Sequence, residues 1–264
     1  MDLIILLKAF ILGIVEGATE FLPISSTGHL IIVGDLLNFN DEKGKIFEVV
    51  IQLGAILAVC WAFRQRLLEM ANSLGNKQTQ GFVQNILIAF LPAAILGFLF
   101  HKKIEHYLFS PITVAIALIV GGLAILIIEK NSLKPNTIHI DNISNKQALQ
   151  IGLAQALALF PGVSRSGATI LGGMVFGLQR TVATEFSFFL AIPVMFAATA
   201  YDLLKNRDLL SIADLPMFAV GFITAFISAL LVIKLFLKYV ANHDFTAFAW
   251  YRIVFGCCVL TYFW

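Results

Sequence analysis

The chain has 264 residues, 59% of them hydrophobic and 13% charged, with a formal net charge of +2. That apolar share lies outside the range of soluble domains and describes an all-α protein that crosses a membrane several times. The small net charge, with no basic segment interleaved with aromatics, excludes nucleic acid as a partner, and Cys60, Cys257 and Cys258 sit in apolar runs that suggest neither disulfides nor a metal site.

The first element is an apolar run that carries two carboxylates, Glu16 and Glu20, within GIVEGATEFLPISSTGHL at 13–30. It has no small-residue cleavage site and is read as part of the mature protein rather than a signal peptide. On a helix the two glutamates lie one turn apart on one face. Pro23 is expected to stop that helix. Ser25, Ser26, Thr27 and Gly28 then form a polar loop leading into His29 and a short apolar segment that ends near residue 37. Hydroxyls, backbone amides and a helix start converge there, which suits an anion. A charge at mid-bilayer costs roughly 3 kcal/mol on insertion scales, so two glutamates in this run imply a polar cavity with partners.

Three spanning candidates follow at 46–63, 82–100 and 111–128, the second with Pro92 inside, and the longest polar linker, 131–146, divides the chain. The second half opens with 147–160, interrupted by PGVSRSGAT at 161–169 and resumed at 170–178. Each apolar piece is too short to cross about 30 Å of hydrocarbon at 1.5 Å per residue, so a re-entrant helix-loop-helix is expected. Three more spans are predicted at 182–204, 215–237 and 245–264.

The halves are related. A shift of 139 positions puts Gly13 on Gly152, Glu16 on Gln155, Phe21 on Phe160, Ser25 on Ser164, Ser26 on Arg165, Thr27 on Ser166, Gly28 on Gly167 and Gly34 on Gly173. A shift of 124 pairs LPAAILGF at 91–98 with LPMFAVGF at 215–222. The expected architecture is one membrane domain, 1–264, with repeat 1 at about 1–130 and repeat 2 at about 147–264. Each half holds one re-entrant hairpin and three crossings, an odd number, so the repeats would be inverted and both loops would meet near the midplane. Lys and Arg divide almost evenly between the two sides of this layout, slightly favouring termini outside the cytoplasm.

In the second loop Arg165 is flanked by Ser164 and Ser166, with Gly167 allowing close backbone approach and Thr169 one turn on. A guanidinium beside hydroxyls at a helix start predicts a phosphate or diphosphate ligand. Glu16 and Glu20 would then hold Mg²⁺ or Ca²⁺ against the phosphate oxygens. Glu48, Gln52, Glu185 and Arg252 are polar groups in apolar runs that either line the cavity or pair structurally, and Glu48 is placed behind the acidic pair.

The motifs ExxxE-FLPISSTGH at 16–29 and PGVSRSGAT at 161–169, with FEVVIQLGAILAV and EFSFFLAIP after them, resemble the bacterial undecaprenyl-diphosphatase family, also called bacitracin-resistance proteins. The likeness covers nearly the whole chain. It implies an enzyme of the bacterial cytoplasmic (inner) membrane, facing the periplasm, that removes the terminal phosphate of undecaprenyl diphosphate and so recycles the carrier lipid for cell-wall synthesis. For the chemistry, Ser26 is expected to attack phosphorus, with His29, three residues on, as base. Ser25, Thr27, Ser164, Ser166, Gly167 and Thr169 would bind substrate, and Arg165 would neutralise it. Direct attack by water is the rival mechanism. Inverted repeats with broken helices also build secondary transporters, so a carrier or lipid flippase for an anionic substrate is the second function considered.

Overall fold

A computed structural model describes residues 2–39, 42–131, 134–209 and 211–264. Within them the chain forms eleven α-helices and no named strand: α1 (Leu3–Thr19), α2 (Ser26–Leu36), α3 (Glu42–Ala62), α4 (Arg64–Asn72), α5 (Lys77–Leu108), α6 (Pro111–Lys130), α7 (Asn145–Ala156), α8 (Arg165–Val175), α9 (Arg180–Lys205), α10 (Leu215–Val240) and α11 (Thr246–Phe263). Six of these, α3, α5, α6, α9, α10 and α11, contain stretches long and apolar enough to cross a membrane, matching the six predicted spans. On α10 the exposed Ile223, Ile227, Leu231 and Leu235 recur every fourth residue. Continuous exposed apolar stripes of this kind are stable against lipid tails and not against water.

The remaining helices build two hairpins, α1–α2 and α7–α8, whose members pack together. α2 and α8 are each 11 residues long and begin 139 positions apart. The residue before each is a serine with positive φ, Ser25 at 67° and Ser164 at 76°. Non-glycine residues rarely adopt that conformation, and it recurs here because each chain must reverse sharply into the following helix. Helix α1 ends at Thr19, ahead of Pro23; the reversal occupies the intervening turn, so proline follows the stop instead of causing it.

Packing follows the repeat. α1 lies against α10, whereas its counterpart α7 lies against α5, the counterpart of α10; α6 packs on α11 and α3 on α9. Gly13 is what brings α1 so near: a Cβ there would stand 2.5 Å from the carbonyl oxygen of Gly221. The largest cluster of buried apolar side chains includes Phe21 of the first hairpin loop together with Phe186, Phe188, Phe236 and Phe245.

Candidate active site

The two loops meet. Glu20, at the end of α1, is 8% exposed and Glu16 is 2% exposed. Arg165, the first residue of α8, donates from Nη2 to Glu20 Oε1 at 3.1 Å, and the Ser26 hydroxyl donates to the other carboxylate oxygen, Oε2. Nucleophile candidate, carboxylate and guanidinium therefore form one hydrogen-bonded row across a sequence gap of 145 residues. Arg165 is held further by Ser187 O at 3.3 Å and Met195 Sδ at 3.1 Å, both on α9, while its Nε has no acceptor among the described residues. A buried N–H without a partner is costly unless something else accepts from it.

His29 stands differently from the expectation that it bonds to Ser26. Its Nδ1 faces Ser25 O at 2.8 Å, and since a carbonyl only accepts, Nδ1 carries the proton. In the neutral ring Nε2 is then an acceptor for the Tyr251 hydroxyl, 2.7 Å away, and the ring stacks on Phe255 at 4.2 Å between centroids. The group that receives the Ser26 hydrogen bond is Glu20.

The second loop spends its hydroxyls on itself. Ser166 donates to Leu22 O of the first loop at 2.7 Å, so the Ser164 hydroxyl, 3.0 Å away, donates to Ser166 and accepts from Gly167 N–H at 3.1 Å. Thr169 bonds back to Arg165 O at 2.9 Å and lies 2.6 Å from the Ser187 hydroxyl. These groups set the position of Arg165. At the first loop, by contrast, the Ser25 side chain makes no capping bond to α2. The first-turn amides of α2, beside the partly exposed Ser26 and Thr27, are therefore left for an anion, with the positive end of the helix dipole behind them.

Glu16 accepts no hydrogen bond from the described residues, and the like charges of Glu20 and Glu48 and the opposite charge of Arg165 all act on it. A buried carboxylate without donors fits a cation. No group of three or more His, Cys, Asp or Glu gathers as an ion cage among the described residues. Mg²⁺ characteristically completes its shell with phosphate oxygens and water around one or two carboxylates, so the pair fits an ion shared with the substrate.

From its sequence context alone Arg252 has no definite role, and the structure gives it a large one. It is 1% exposed on α11, and all five of its N–H groups are used: Nε on Leu118 O, Nη1 on Pro23 O and Val163 O, and Nη2 on Ala117 O and Gly162 O, at 2.9–3.2 Å. One guanidinium thus binds both loops, through the Pro23, Gly162 and Val163 carbonyls that the reversals leave without helical partners, and α6 through Ala117 O and Leu118 O. Gly121 makes room, since a Cβ there would fall on the guanidinium. An arginine inside a spanning run with glycines facing it was the available sequence signal.

Fold and site define a polytopic α-helical membrane protein in which two hairpin loops bring an arginine, carboxylates and a serine together away from water. The chain belongs to the family described as bacitracin resistance protein BacA, whose model matches residues 9–258. It is similar to the undecaprenyl-diphosphatase of Methylobacillus flagellatus, 64% identical over 269 residues covering 100% of both chains. It is equally similar to that of Nitrosomonas europaea, 64% over 260 residues, 98% of this chain and 95% of the relative. That of Laribacter hongkongensis is 59% identical over 265 residues, 100% of this chain and 97% of the relative.

Proposed function

We infer that this protein hydrolyses undecaprenyl diphosphate to undecaprenyl phosphate and inorganic phosphate, recycling the carrier lipid in the bacterial inner membrane. The observation that carries the assignment of roles is the row Ser26–Glu20–Arg165, built from both loops. Phosphoryl transfer needs charge neutralisation and an aligned nucleophile more than covalent help from the protein. The diphosphate would lie over the amides of α2, with Arg165 Nε and Nη groups on its terminal oxygens. Ser26 Oγ attacks the terminal phosphorus and its proton passes to Glu20. The bond from phosphorus to the bridging oxygen breaks, and undecaprenyl phosphate leaves. Water then cleaves the phosphoserine, releasing inorganic phosphate and restoring the Ser26 hydroxyl.

His29, fixed on Tyr251 and Phe255, holds the Ser25 carbonyl and with it the strained entry into α2. Glu16 and Glu20 would hold Mg²⁺ or Ca²⁺, which offsets the charge of the diphosphate. The equivalence of the hairpins supports an inverted arrangement of the halves, and the periplasmic side is the face to which the released phosphate belongs.

Purified protein in detergent, given undecaprenyl diphosphate and a divalent metal, is expected to release phosphate, and chelation should abolish that release. A carrier would release none without a gradient. Ser26→Ala should lower kcat by roughly a thousandfold, and rapid quenching of the parent with ³²P-labelled substrate should leave label on Ser26. Normal turnover by Ser26→Ala would remove the covalent route.

A further inference from the structure

The two repeat-related interfaces between the halves differ, α3 on α10 being tight and α9 on α5 open. α3 packs against α10 backbone to backbone: a Cβ on Gly54 would stand 2.5 Å from the carbonyl oxygen of Phe222. Phe98, which the shift of 124 pairs with Phe222, stands on α5, and Pro193 lies within the facing helix α9. Gly221, on α10, is covered by Phe47 and Ile51 of α3, whereas its equivalent on α5, Gly97, has only Leu159 within reach of an added Cβ, at 3.3 Å.

What the separation leaves is an apolar groove of about 360 Å³ between α5 and α9, walled by Ala93, Ala94, Phe98, Val194 and Ala198, with Leu159 at its inner end. Leu159 is the position that corresponds to Glu20, and it begins the loop that carries Arg165 six residues later. Val194 precedes Met195, whose sulfur accepts from Arg165 Nη2. The groove is therefore lined by residues of the same segments that carry and hold Arg165.

We propose that this groove receives the isoprenyl units nearest the diphosphate, so that the chain enters from the bilayer between α5 and α9 while its headgroup lies against Arg165. The proposal rests on the diphosphatase assignment and adds the route of the tail. A polyprenyl chain is apolar, unsaturated and methyl-branched, and a mainly apolar slot between two proline-containing helices, lined also by Tyr201 and Asp202, admits it laterally. The repeat-related interface of α3 with α10, sealed at Gly54, offers no such slot, so the approach is between α5 and α9.

The test compares undecaprenyl diphosphate with dimethylallyl diphosphate, whose single unit reaches no further than the mouth beside Leu159. Ala94→Phe and Ala198→Phe, from opposite walls, should each lower kcat/KM for the long substrate by about tenfold or more, mainly through KM, and leave the short one within about twofold. Equal losses on both substrates, in protein that melts where the parent does, would overturn the groove, as would no loss on either. A parent protein that releases phosphate from neither substrate would instead sink the diphosphatase assignment, and the groove with it.

Discussion

Arg165→Ala is expected to lower kcat/KM for undecaprenyl diphosphate by roughly 10³-fold, the scale seen when a guanidinium that neutralises a transferring phosphoryl group is lost. Arg165→Lys should recover only a small part, because an ammonium keeps the charge but cannot reach Glu20, Ser187 and a phosphate in one plane. A second consequence separates catalysis from folding. Arg165 and Glu20 are 13% and 8% exposed, and removing one partner of so enclosed a pair leaves the other charge stranded, at a cost of about 3 kcal/mol. The single variant should therefore melt lower than the parent. Arg165→Ala combined with Glu20→Ala should regain much of the melting temperature while staying inactive. Recovery of activity in the double variant would mean that the arginine serves only to hold the glutamate.

Arg252→Met should be the most destabilising single change in the chain. Its five N–H groups are the donors for carbonyls of Pro23, Gly162 and Val163 in the two loops and of Ala117 and Leu118 in α6. Methionine matches the length of the stem and supplies no donor. Each buried carbonyl left unpaired costs about 1–3 kcal/mol, and the loop carbonyls have no helical partner to fall back on, so a loss of at least about 3 kcal/mol is expected. Arg252→Lys, with three donors in place of five, should lie between. Thermal melting in detergent measures this, with phosphate release falling in step as the loops lose register. A variant that melts with the parent yet is inactive would show that Arg252 acts on the substrate rather than on the loops.

Much of this was legible in the chain because the bilayer constrains it so strongly. A run of about 20 apolar residues has few fates other than a spanning helix, and all six predicted spans were found, with ends moved by a few residues. The short runs around residues 20 and 160 could not cross and had to turn back. Their shared spacing of 139 positions also foretold that α2 and α8 would begin alike. Glycine, proline and hydroxyl residues beside an arginine suggested an anion site, because few other arrangements tolerate that mixture inside lipid, and the two loops that carry them do meet.

Partnerships were not legible. Proximity of His29 to Ser26 along the helix suggested a base, yet the side chain is held by Tyr251, more than 200 residues away, and Ser26 turns to Glu20. Ser164, Ser166 and Thr169 looked like ligands for substrate and are bonded mainly within the loops. A hydroxyl has the same composition whether it caps a turn or meets a ligand, and only the position of its neighbours decides between them.

By itself the sequence determined the number of crossings, the two reversals and the residue types that gather at them, since hydrophobic length and backbone chemistry are local. Only the tertiary structure decided that Arg252 ties the reversals together, that Glu20 stands between Ser26 and Arg165, and that α3 meets α10 closely at Gly54 while a groove parts α5 from α9. Those outcomes depend on which helices meet and how closely, and closeness is set by the facing surfaces of segments far apart in the chain.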